Sequence, residues 1–315
     1  MNSVLVVSSL TVFTLFGLVV GVSVKINNRP IIGILAQATK HASADTFIPA
    51  TYVKYLEQAG ARVVPIRTKE SDEYYKKLFS HINGALFPGG DVGIQVSWYA
   101  KAGRQIYDLA VKANDKGDYF PLWGTCQGFQ LLTNLTARAK LLKATDAEDL
   151  ALPLNLSNDY KSSRLMGNLP ADIHHSLTTL PVTYNAHHWG IWQETFEKTS
   201  SLKSFYKVLS TNKGRKQISF ISTMEAYKYP FYGSQWHPEA NIFLWNPKEH
   251  MDHEFAAIKV SQYFADFFVN EARKSSHTFP SITMESSHMI ENFKRVYSND
   301  GSFELLYMFN YTNTF

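Results

Sequence analysis

The only cysteine in the 315 residues stands where a nucleophile would be placed. Cys126 lies between two glycines in the run Trp123-Gly124-Thr125-Cys126-Gln127-Gly128-Phe129-Gln130. Residues 118–123 read as a buried strand before it, and Phe129, Leu131, Leu132 and Leu135 fall at helical spacing after it. This pattern predicts a nucleophile elbow. In such a turn the small residues at minus two and plus two let strand and helix pass closely and leave the reactive side chain exposed. At a helix N-terminus the unpaired amides and the helix dipole favour a thiolate. Residue type alone argues for a buried, inert thiol; the flanking glycines argue for chemistry.

A thiol nucleophile needs a base, and His237 in Gln235-Trp-His-Pro-Glu239 is the candidate. Pro238 biases His237 toward extended geometry, and extended residues two apart face one side, so Glu239 is expected at the far nitrogen of the imidazole. Cys126, His237 and Glu239 would then divide the roles of nucleophile, general base and orienting carboxylate. Alone, a His-x-Glu at a strand end is a solvated pair. A third element, Phe87-Pro-Gly-Gly-Asp91, sits at the end of an apolar run, where glycines either make a plain turn or point backbone amides into a site.

These residues must be carried by a β-α-β-α chain. Strand-like runs at 31–36, 63–66, 85–87 and 120–123 alternate with helix-like runs at 50–59, 70–79, 99–116 and the segment after the elbow. That order predicts an α/β fold, a mostly parallel sheet flanked by helices, with ligands beyond the carboxyl ends of the strands. Beyond 138 the rhythm lapses. Runs at 204–209, 217–224 and 231–236 read as an antiparallel extension, and 145–190 as a substrate-pocket insertion. Residues 256–273 form an amphipathic helix that closes the domain, and a tail of about 274–315 follows, whose docking the sequence leaves open.

The words around the elbow resemble γ-glutamyl hydrolases, within the class I glutamine amidotransferase-like superfamily. They are Arg29-Pro-Ile-Ile-Gly-Ile-Leu-Ala-Gln37, Tyr52-Val-Lys-Tyr-Leu-Glu57, Ala59-Gly-Ala-Arg-Val-Val-Pro65, Leu86-Phe-Pro-Gly-Gly90, Trp123-Gly-Thr-Cys-Gln-Gly-Phe129, Phe220-Ile-Ser-Thr-Met-Glu225 and Gln235-Trp-His-Pro-Glu239. Together they span roughly residues 29 to 273. The resemblance implies cysteine-dependent hydrolysis of γ-glutamyl bonds in folate and antifolate poly-γ-glutamates, with no cofactor. It also implies that the amides of Gly90 and Gln127 stabilise the oxyanion. His187, in Asn185-Ala-His-His-Trp-Gly190, matches the family's Asn-x-His-x-Trp and is expected to line the glutamyl pocket. The loop around Arg164 is a second candidate for that pocket. Two rivals stay open: a glutaminase subunit with the same triad, and a secreted binding protein with a relict site.

Composition sets the limits. With 45% hydrophobic and 18% charged residues the chain can build one large core, so 24–315 is read as a single domain. A net charge of +4 without a dense Lys/Arg cluster gives no nucleic-acid footprint. Residues 1–23 carry an apolar run ending in small residues and are expected to be a secretory signal, with a membrane anchor as the rival. Cleavage would leave no membrane segment, and the resemblance implies a secreted and lysosomal destination. Sequons at Asn134, Asn155 and Asn310 agree with passage through a glycosylating pathway. No metal is expected: there is no His-Glu-x-x-His and no cysteine pair, and His250-x-x-His253-Glu254 lacks a third ligand. The oligomeric state, homodimer included, is not legible.

Overall fold

The computed structural model describes residues 26–39, 44–298 and 303–311. The expected secretory signal lies outside them. Five parallel strands form the centre, in the spatial order Arg62–Ile66, Ile31–Leu35, Gly84–Phe87, Leu122–Thr125 and Phe231–Ser234. Three antiparallel strands, Ser219–Ala226, Tyr206–Lys213 and Asn155–Leu156, extend the same sheet.

Strand alternation sets the two cores. Along Ile31–Leu35 the side chains of Ile31 and Leu35 enter one apolar cluster while Ile32 and Ile34 enter the other. The first is covered by the helices Asp72–Phe79, Trp98–Asp115 and Gln127–Ala137. The second is covered by Ala50–Glu57 and Phe255–Ala272. A sheet buried on both faces needs apolar residues at every position, which is why these strands read as continuous apolar runs.

Two parts differ from the sequence reading. The stretch 143–190 contains a separate two-stranded sheet, Lys143–Leu152 against Thr183–Gly190. The run expected to begin a strand at 204 starts inside the short helix Ser200–Phe205, and the strand begins at Tyr206. The first segment is rich in Thr, His and Asn, and the second mixes Ser and Lys with apolar residues, so in both the local pattern is weak and partners distant in sequence decide the placement.

The tail docks on the body of the same chain. Leu305–Phe309 pairs with Thr46–Pro49, which runs directly into the helix Ala50–Glu57. Before it, Glu285 of the helix Ile282–His288 binds Arg29 at 2.9 Å and also Arg62.

Candidate active site

The elbow forms because two backbones must nearly touch. A Cβ on Gly128 would lie 1.8 Å from the Phe87 carbonyl oxygen, and one on Gly124 would lie 2.6 Å from the Gly128 carbonyl carbon. Only glycine fits either place. The helix Gln127–Ala137 can therefore start directly against the sheet, which puts Cys126 at φ 50°, ψ −106° between strand and helix. A non-glycine residue with positive φ is held there only by its surroundings. The Cys126 amide donates to Ser234 O at 2.8 Å, tying the turn to the neighbouring strand.

That neighbouring strand carries the histidine. Phe231–Ser234 runs parallel to Leu122–Thr125, with Ser234 opposite Thr125, so the residues following both strands emerge at one edge of the sheet. Trp236, fully buried, packs edge-on against Phe264 with ring centroids 5.0 Å apart and donates from Nε1 to Thr223 Oγ1. His237 follows it, and its amide donates to Tyr184 O at 2.8 Å.

Expected extended geometry gives way here to a turn. Pro238 and Glu239 form the turn, and Glu239 stands in a right-handed helical conformation before the short helix Ala240–Phe243. The turn still brings the carboxylate back, and His237 Nδ1 donates to Glu239 Oε1 at 2.7 Å. Nε2 of the same ring is buried without a hydrogen-bond partner.

Cys126 occupies the space beside that ring. A Cβ on Gly89 would meet His237 Cε1 at 2.8 Å and Cys126 Cβ at 3.3 Å, so one glycine touches both. Burial by itself would lower the imidazole; the Glu239 carboxylate and then the Cys126 sulfur beside it more than reverse this and hold His237 well above its ordinary range. All three side chains are buried, where such electrostatic coupling is weakly screened.

Gly90 and Gln127 frame the thiol. Phe87 is in register with Gly124, so Gly90 and Gln127 each lie three residues beyond a matched pair at the carboxyl ends of adjacent strands. Gln127 is the first residue of its helix, where backbone N–H groups lack intrahelical acceptors. Its side chain donates to Val92 O at 2.6 Å and so ties the loop after Gly90 to the elbow.

The two pocket candidates are placed differently. His187 is buried in the Thr183–Gly190 strand with both ring nitrogens engaged: Nδ1 lies 2.8 Å from Thr145 Oγ1 and Nε2 3.2 Å from Asn185 Oδ1. Burial, reinforced by the charge of nearby His237, lowers it to about 3 and keeps it neutral. Arg164 is not brought to the thiol. Its guanidinium donates to Tyr229 O at 2.8 Å and to Ala226 O, at the amino end of Phe231–Ser234 and so opposite Cys126. The three sequons also differ: Asn155 and Asn310 are exposed, whereas Asn134 is half-buried on the elbow helix, its amide donating to Ala139 O. Among the described residues no group of three or more His, Cys, Asp and Glu side chains is arranged to hold a metal ion.

Gln37, Tyr52 and Gln130 reach this site without having been picked out from the sequence. Gln130 is one helical turn beyond Cys126 and donates to Trp189 O at 2.7 Å. Tyr52 places its hydroxyl 3.4 Å from His237 Nδ1, and Gln37 donates to Gly89 O at 2.7 Å. A tyrosine in an apolar helix and a glutamine two residues past an apolar strand carry no local mark of such roles. Helix phase could have found only Gln130.

Comparison with known proteins assigns the sequence to a family. A family model described as peptidase C26 matches residues 30–239. The γ-glutamyl hydrolase of Homo sapiens is 45% identical over 287 residues, covering 90% of each chain. The chain belongs to the γ-glutamyl hydrolase family. A γ-glutamyl hydrolase of Dictyostelium discoideum, the B form, is 42% identical over 90% of this chain and 84% of its own. An Arabidopsis thaliana member, γ-glutamyl hydrolase 1, is 34% identical over 86% and 80%. Among solved structures, the glutaminase domain of Trypanosoma brucei CTPS superposes with a TM-score of 0.51 at 13% identity, over 80% of this chain and 96% of that one. The chain thus shares its α/β fold with that glutaminase domain.

Proposed function

We propose that this protein hydrolyses γ-glutamyl bonds through a thioester on Cys126. The observation that carries the reading is the single thiol at a strained elbow, beside a histidine whose other nitrogen is held by Glu239. The Cys126 sulfur attacks the γ-carbonyl carbon as His237 Nε2 takes the thiol proton. The tetrahedral oxyanion is met by the amides of Gly90 and Gln127, and its collapse breaks the C–N bond while His237 returns the proton to the leaving amine. Water then attacks the thioester, giving its proton to His237, and the free γ-carboxylate departs as the thiol is restored. Glu239 fixes the imidazole with Nδ1 protonated, so that Nε2 faces the sulfur.

The substrates are poly-γ-glutamates, with folate and antifolate conjugates as the class that the family resemblance supports. Mild positive charge favours such polyanions. His187, buried and neutral behind the site, shapes the glutamyl pocket from its wall. Residues 1–23 are a secretory signal and 24–315 the enzyme domain, which agrees with exposed sequons at Asn155 and Asn310 and with a secreted or lysosomal destination. Among the described residues no helix is long and apolar enough to cross a membrane.

The test compares γ-Glu-Glu, α-Glu-Glu and glutamine at equal concentration with purified protein, following glutamate and ammonia separately. Turnover of γ-Glu-Glu alone, abolished by Cys126→Ala, is the expected result. Glutamine as best substrate replaces the reading with a glutaminase; no turnover with an alkylatable Cys126 replaces it with a binding protein.

A further inference from the structure

The turn that carries Gly90 is held by buried side chains from three separate elements. Tyr99 Oη donates to Pro88 O at 3.0 Å, and the Gly89 amide donates to Tyr52 Oη at 2.8 Å. Those two contacts fix both polar ends of the peptide unit joining Pro88 to Gly89. The next unit joins Gly89 to Gly90, and Gln37 Nε2 donates to its carbonyl oxygen at 2.7 Å. In a planar trans peptide the N–H points opposite the C=O. Gln37, by holding the Gly89 carbonyl, therefore sets the direction of the Gly90 N–H.

The glutamine also closes the far side of this unit. A Cβ on Gly90 would fall 1.7 Å from Gln37 Oε1 and 2.6 Å from its Cδ, so the side chain lies flat across the Gly90 Cα. Gln37 is only 1% exposed and Tyr52 fully buried, a costly placement for polar groups unless hydrogen bonds are made. Tyr52 has a second contact: its hydroxyl lies 3.4 Å from His237 Nδ1 and faces the Glu239 carboxylate. One phenol thus touches both the amide turn and the acid-base pair.

The geometry points to Gln37 and Tyr52 as positioning residues that aim the Gly90 amide at the developing oxyanion and keep it in register with His237. This rests on the reading of Gly90 as an oxyanion donor. Neither side chain performs proton transfer or touches the scissile carbonyl. The effect of Gln37 is confined to the tetrahedral states, because a misaimed Gly90 amide still permits substrate binding and leaves the thiol and its base as they were.

Gln37→Met keeps the length of the side chain and removes the donor. Loss of one oxyanion donor lowers kcat by about 100- to 1000-fold. The expected result is such a fall in kcat on γ-Glu-Glu, with KM within about threefold and the rate of Cys126 alkylation by iodoacetamide unchanged. A merely structural role would instead move the alkylation rate and the melting temperature along with kcat. Gln37→Glu supplies the independent variant if the methionine protein does not fold. Its protonated carboxyl can donate to Gly89 O and its carboxylate repels it, so kcat relative to wild type should recover as pH falls. Tyr52→Phe should lower kcat at least tenfold with KM within about threefold. A folded Gln37→Met retaining more than a third of wild-type kcat, or a Gln37→Glu/wild-type ratio that does not change with pH, overturns the inference. Wild-type protein that fails to cleave γ-Glu-Glu overturns the functional reading instead, which keeps the two failures distinct.

Discussion

His237 Nδ1 lies 2.7 Å from Glu239 Oε1 across a single intervening proline, and both side chains are buried. In the proposed mechanism a carboxylate so placed acts on the thiol through the imidazole. Replacing it by Glu239→Gln leaves the base in place but permits the wrong tautomer, in which Nε2 carries the proton and cannot accept one from the thiol. Triads of this logic lose up to about 10⁴ in kcat on such a change. We expect a loss of about 10² to 10⁴ for Glu239→Gln and a larger one for His237→Ala, with KM little altered in both. Steady-state kinetics on γ-Glu-Glu decide; an amide variant as slow as the alanine variant would mean that Glu239 does more than orient.

The elbow glycines give a second prediction, about stability. A methyl group on Gly128 would lie 1.8 Å from a backbone oxygen that cannot swing aside, whereas one on Gly117 meets nothing within 4 Å and is strained only by its φ of 80°. Gly128→Ala should therefore cost more than about 3 kcal/mol, the upper end of ordinary overpacking. Gly117→Ala should cost about 1 to 2 kcal/mol from its left-handed backbone alone. Urea midpoints of the two variants measured side by side check the order. Equal losses would show that the elbow helix can back away from the sheet.

The contrast between those glycines also shows what a sequence can reveal. Gly124 and Gly128 were legible because their spacing about Cys126 is local, and so was the β-α order, since strands buried on both faces must be apolar throughout. The His237–Glu239 contact was anticipated, but from extended geometry, while the chain makes it with a turn in which Glu239 is helical. The loop around Arg164 is the second pocket candidate that the sequence offers. The Arg164 guanidinium instead holds the Tyr229 and Ala226 carbonyls at the other end of the strand, a pairing that depends on a loop and a strand terminus about sixty residues apart. Gln37 and Tyr52 were hidden for the same reason: their partners are atoms of the Gly89 backbone, which no side-chain pattern records.

His187 predicts an acid limit to stability. Its ordinary value is about 6.5, and burial lowers it to about 3 in the fold. Between those values the unfolded chain binds a proton that the native chain does not, so its contribution is fully present above about pH 6.5 and is lost as pH falls toward 3. His187→Gln should lower the melting temperature at pH 7, because the ring contacts with Thr145, Asn185 and Phe220 go. It should also flatten the decline between pH 6.5 and 4.5. A variant whose melting temperature falls with acid as steeply as wild type would place the sensitivity elsewhere.

Glu57 works in the opposite direction over nearly the same window, at the junction with the tail. It ends the helix Ala50–Glu57 that carries Tyr52, and its partner is Glu291, just before the strand Arg295–Tyr297 that pairs with Leu305–Phe309. Lost solvation first, and then the like charge of Glu291, raise the surface carboxyl of Glu57 from 4.5 to about 7, with Arg295 offsetting only part. A raised carboxyl is protonated in the fold at a pH where the unfolded chain has lost the proton. Its penalty is full above about pH 7, shrinks as pH falls, and is gone below about 4.5. Acid therefore removes the repulsion between Glu57 and Glu291 beside the tail while it works against the buried neutral ring of His187. Glu57→Gln removes the charge and keeps the shape, so the melting temperature should rise by a few degrees at pH 7.5 and stay unchanged at pH 4. Hydrogen exchange over 303–311 should slow in the variant at pH 7.5. A rise of equal size at both pH values would assign the gain to packing and remove the like-charge pair from the account.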